Sequence, residues 1–77
     1  MVYINNIMIQ HENLSDGFKI QLIFRSGKIS TILKTDTLEK LNGDLKLTRY
    51  YNEEFLCAVV LDCAEVESFN IVKDERF

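Results

Sequence analysis

The segment Phe18 to Leu33 constrains the fold more than any other. Phe18, Ile20, Leu22 and Phe24 alternate with Lys19, Gln21, Ile23 and Arg25, the period of two of a strand with one buried face. Ser26-Gly27 follows as a tight-turn dipeptide, and a second alternation begins at Ile29. With those two residues as the loop, Arg25 faces Lys28, Phe24 faces Ile29, Leu22 faces Thr31 and Ile20 faces Leu33. That register gathers apolar side chains on one side. The other side carries Ile23 and Ile32 ringed by Lys19, Arg25, Lys28 and Lys34, the anatomy of a modest protein interface. Arg25 beside Lys28, and Lys19 beside Lys34, are like-charge pairs, which are mildly destabilising and invite an acidic cover.

The rest of the chain favours strands as well. Eight isoleucines, five valines and four threonines supply β-branched side chains, and the absence of proline leaves every backbone N–H free to join a ladder. A first strand is expected over Tyr3 to His11, with Asn5-Asn6 as a bulge or early bend, followed by a loop over Glu12 to Gly17. Thr35 to Gly43 reads as one short helix. Asp36 caps it, Glu39 follows three residues later, Leu38 and Leu41 share a face, and Gly43 stops it. Leu45 to Tyr50 alternates again, and Tyr51 to Glu54 turns. Phe55 to Leu61 is apolar on both faces, as expected of a strand central in its sheet or enclosed in a small barrel. Asp62 to Glu65 turns, Val66 to Val72 forms a last strand, and Lys73 to Phe77 reads as a frayed tail. The expected fold is mainly β, a β-rich α+β chain: a small curled antiparallel sheet or partly open barrel of about six strands with one short helix, in a single domain, 1–77.

A 77-residue chain has a thin margin between burial and conformational entropy. A partner subunit would widen it, so self-association into a homodimer is one expectation. Charge is unevenly spread about a net value of -3. Up to Lys40 the balance is slightly basic; beyond it the chain is acidic, and from Glu53 to Glu67 there are five acids and no lysine or arginine. Such a surface repels phosphate backbones and suits a partner protein with a basic patch. Glu53, Glu54, Glu65 and Glu67 are its candidate binding residues, together with Tyr50 and Tyr51, of which extended geometry would expose one. Cys57 and Cys63 form no CxxC motif, and Cys57, within an apolar run, reads as a buried small hydrophobe. The N-terminal segment resembles neither a signal peptide nor an anchor, and no membrane contact is expected. A reducing cytoplasm is the expected compartment.

Catalytic and cofactor motifs are missing from the sequence: no phosphate loop, dinucleotide fingerprint, GxSxG elbow or HExxH pair occurs. His11, Glu12 and Asp16 are the nearest approach to a metal cluster, without the ligand spacing of a zinc site. No cofactor, metal or catalytic residue is expected, and the chain reads as non-enzymatic. The expected role is a small protein-binding module, an inhibitor or accessory factor acting through its acidic surface. The alternative is a small barrel that binds single-stranded nucleic acid through Lys19, Arg25, Lys28 and Lys34; the net negative charge disfavours it.

Overall fold

Each hairpin turns on residues held in the left-handed region. Asn5 and Asn6 have φ of 48° and 68°, Asn42 has 56°, and Asn52 and Glu53 have 50° and 67°. Asparagine tolerates this region better than other residues with a Cβ, and two-residue hairpin loops require it. The computed structural model describes residues 1–76, which form eight strands: β1 (Val2–Ile4), β2 (Ile7–Ile9), β3 (Phe18–Phe24), β4 (Ile29–Leu33), β5 (Thr37–Leu41), β6 (Asp44–Tyr51), β7 (Glu54–Asp62) and β8 (Val66–Lys73). They pair as three small antiparallel sheets, β1-β2, β4-β3-β8 and β5-β6-β7. Single 3₁₀ turns at His11–Asn13 and Cys63–Glu65 are the only helical segments among the described residues.

Three expectations about the fold are corrected. No curled six-stranded sheet or barrel forms, because the strands divide among three separate sheets. The segment expected to be a helix contains β5, paired with β6 from Thr37↔Thr48 to Leu41↔Asp44. An isolated helix of two turns has little stability of its own, whereas pairing with β6 supplies a ladder of cross-strand bonds. Gly43, read as a helix stop, forms with Asn42 the two-residue loop of this hairpin. The strand expected over Tyr3 to His11 is the β1-β2 hairpin, folded back at Asn5-Asn6 with Ile4 opposite Ile7.

The central hairpin forms in a register shifted by one. Gly27 N–H donates to Phe24 O at 2.9 Å, and Phe24 N–H donates to Lys28 O at 2.9 Å. The loop is therefore Arg25-Ser26-Gly27, three residues with Gly27 at φ +90°, a tight turn followed by a glycine bulge. One extra loop residue reverses every side chain of β4 relative to β3. Ile20 now pairs with Ile32 and Ile23 with Ile29. Ile32 is fully buried, Ile29 is 57% exposed, and Ile23 and Phe24 are half-buried.

The core is one cluster. Ile20 and Leu22 of β3 and Ile32 of β4 pack with Leu45 and Leu47 of β6, and Ile4 and Ile9 from the β1-β2 hairpin join them. Leu38 and Leu41 share no buried face: Leu38 packs partly against the cluster and Leu41 is exposed. The chain end is tied in, where fraying was expected. β8 pairs with β3 from Phe18↔Lys73 to Phe24↔Val66, and Asp74 N–H donates to Gly17 O at 2.7 Å. The tail expectation for Phe77 lies outside the described residues.

Candidate functional site

β7 is the end strand of its sheet, paired with β6 on one side and with no other strand among the described residues. Cross-strand partners define its two faces. Leu61, Val59 and Cys57 lie opposite Leu45, Leu47 and Arg49 on the inner face, while Val60, Ala58 and Phe55 lie opposite Lys46, Thr48 and Tyr50 on the outer one. Leu56 is the extra residue of a bulge, because the register jumps from Arg49↔Cys57 to Tyr50↔Phe55. Phe55 through Val60 are nevertheless all exposed, inner-face Cys57 and Val59 included. Phe55 retains 65% and Val60 60% of its full exposure.

At the Asp62 end of β7 the two three-stranded sheets stand apart. A groove of about 400 Å³ separates Ile29 and Ser30 of β4 from Val60 and Leu61 of β7, with Phe24, Lys28, Asp62 and Glu65 also lining it. Nine residues at about 3.4 Å each give β7 a length of about 30 Å. The longest dimension of the molecule is 31 Å, so the uncovered strand runs nearly its full length. An edge of this kind presents unpaired backbone N–H and C=O groups beside apolar side chains, and a single bulge is its main protection against pairing.

Acidic groups mark both ends of the strand. Glu53 and Glu54 occupy the β6-β7 turn; Asp62 and Glu65 stand at the other end, where Asp62 pairs directly with Asp44 across the ladder. Like charges directly opposite are destabilising unless a cation joins them. Among the described residues the ion pairs of the molecule engage Glu12, Asp16, Asp36 and Asp74. Asp44, Glu53, Glu54, Asp62 and Glu65 have no such partner.

The other polar clusters serve the fold. Asp36 is buried, accepts from Leu33 N–H at 2.7 Å, and takes two bonds from Arg49, at 3.0 Å from Nε and 2.9 Å from Nη2. Arg49 also donates to Thr31 O at 2.9 Å, and the Asp36 carboxylate raises the guanidinium's affinity for its proton. This bridge ties β4 to β6 and uses the residue expected to cap a helix. His11 is buried, and its Nε2 donates to Asp36 O at 2.6 Å. Its Nδ1 lies 3.1 Å from Glu12 Oε2, outside hydrogen-bond geometry, while Asp16 pairs with Lys34 at 3.2 Å. Asp16 is thus held away from the adjacent His11 and Glu12, and no cluster of three or more metal-ligating side chains occurs among the described residues. Cys57 is exposed where burial was expected, and Cys63 is the buried thiol, its pKa pushed up by desolvation.

Six of the candidate residues from the sequence sit at the two ends of β7 or close to them. Tyr50, Tyr51, Glu53 and Glu54 come together at one end of β7, with both tyrosines exposed and Tyr51 the more so at 69%. Glu65 approaches the Arg25-Lys28 hairpin tip at the other end, where Arg25 N–H donates to Glu65 O at 2.8 Å; Glu67 is exposed on β8. Ile23 and Ile32 form no surface patch: Ile32 belongs to the core, a consequence of the one-residue register shift. The apolar stretch Phe55 to Val60 was missing from the candidates, because two-faced apolarity marks a central strand as readily as an uncovered edge. No family model, curated protein or solved structure matches the chain. No helix among the described residues is long and apolar enough to cross a membrane.

Proposed function

We propose that the chain is a non-enzymatic protein-binding module whose working surface is the β7 edge. One observation carries the reading: six consecutive residues, Phe55 to Val60, are exposed on a strand with a free pairing side. Apolar surface of this extent, bordered by charged residues, is characteristic of a docking site. Strand addition supplies main-chain hydrogen bonds for affinity and alternate side chains for selectivity. By covering a basic surface on its partner the module acts as an inhibitor or accessory factor, in keeping with the uncompensated acids at both ends of β7. Nucleic-acid binding has weaker support. Lys34 is already paired with Asp16, and the chain carries a net charge of -3.

The test is site-resolved crosslinking in the source cells, with a photoreactive side chain at Ala58 and, as control, at Glu39 on β5. A discrete polypeptide adduct from position 58 that is missing from position 39 and lost on adding Val60→Lys is the expected result. Equal labelling from both positions, or none from 58, refutes the proposal.

A further inference from the structure

We infer that the occupant of β7 is an extended segment of another protein, apolar at its centre and carrying lysine or arginine at both ends. This rests on the proposed function and specifies the partner's chemistry. The strand is apolar through its middle and acidic at its two termini, roughly 30 Å apart. Asp44 and Asp62 face each other without a cation, and Glu53, Glu54 and Glu65 are likewise unpaired among the described residues. A segment with basic ends neutralises both groups at once, with the complementarity that fixes register and rejects wrong partners.

The same charge pattern argues against a second copy. In an antiparallel self-pairing centred on Ala58, Glu54 meets Asp62 of the second copy at both ends. Slipping the register by two residues in either direction leaves the two acids diagonal neighbours, about 7 to 8 Å apart. Apolar contact along the middle would favour such a dimer, but each end would add carboxylates to carboxylates. The groove between β7 and β4 adds a further feature for a foreign strand. Phe24, Ile29 and Val60 line it beside Asp62, Glu65 and Lys28, so an apolar side chain of the partner has a receptor next to two acids and one lysine.

The experiment uses the full chain and two synthetic peptides of about eleven residues, long enough to span β7. Both have an alternating valine and threonine centre; one carries two lysines at each end, the other two glutamates. Binding is read by fluorescence anisotropy at about 50 mM salt, and backbone amide exchange locates the site. The lysine-ended peptide is expected to bind at least about tenfold more tightly, to slow amide exchange in β7, and to lose most of that advantage at about 0.5 M salt. Combined Glu53→Gln, Glu54→Gln, Asp62→Asn and Glu65→Gln substitutions are expected to bring the two peptides to equal affinity. Equal binding to the unsubstituted chain overturns the charge assignment while leaving strand addition at β7 intact. Failure of both peptides to protect β7 overturns this inference and strand addition together. Sedimentation showing a dimer at micromolar concentration, with exchange protection in β7, overturns it in favour of a second copy.

Discussion

Asp36 is the residue whose role depends most on tertiary context. Beside Thr35 and three residues before Glu39 it has the position of a helix cap, yet its carboxylate is buried against Arg49 and Leu33 N–H. Removing one member of a buried bidentate pair leaves the other uncompensated, at a cost of about 3 to 5 kcal/mol. Asp36→Ala is therefore expected to lower stability by that amount in chemical denaturation, and Asp36→Ala combined with Arg49→Met by less; a loss below about 1 kcal/mol for the single variant would contradict the assigned role. Asp74 makes a second prediction. Arg76 donates to it at 2.9 and 2.6 Å and holds its carboxyl at about 2, against an ordinary 3.8. A lowered folded-state pKa favours the fold when the group is ionised. This contribution is complete above about pH 4 and disappears as pH falls towards 2. Asp74→Asn is expected to flatten that part of the acid-stability curve, and denaturant titrations from pH 5 to pH 2 would reveal it. Neither pairing was legible in the sequence, since Arg49 lies 13 positions from Asp36 and the Asp74-Arg76 pair looked like part of a loose tail.

At the level of elements, β3 was readable and β4 only half so. The alternation from Phe18 to Phe24 correctly marks Ile20 and Leu22 as buried, but loop length sets which face of β4 turns inward. Ser26-Gly27 is compatible with either a two- or a three-residue loop. Asn42-Gly43 carried the missed signal for the β5-β6 hairpin; reading glycine alone as a helix stop concealed it. Strand β7 gives a prediction that separates a central from an edge position. Val60→Lys puts a charge on a residue that is 60% exposed and is expected to change stability by less than about 1 kcal/mol. Leu47→Ala, on the buried face of the neighbouring β6, is expected to cost about 2 to 5 kcal/mol. Thermal melts of the two variants suffice, and unfolding of the Val60→Lys chain would mean that β7 is covered.

Over the whole molecule, β3 joins the central hairpin to the last strand of the chain. It lies between β4, its neighbour in sequence, and β8, which pairs with it across about fifty residues of intervening chain. Contacts of such separation contribute only after a large loop closes, and they seal the core over Ile20 and Leu22. A chain ending at Glu65 is accordingly expected to lose cooperative unfolding, measured by circular dichroism during heating, although the β5-β6-β7 meander is retained in full. By itself the sequence determined that the chain is strand-rich, where most of its reversals fall, and that its second half is acidic, because these follow from backbone sterics, side-chain period and composition. The tertiary structure decided that β7 ends its sheet, that Ile32 is core while Phe55 to Val60 are surface, and that Asp36 serves Arg49. Each of those depends on which strands meet across long stretches of chain and in which register, and two-faced apolar strands and short turns are compatible with several such pairings.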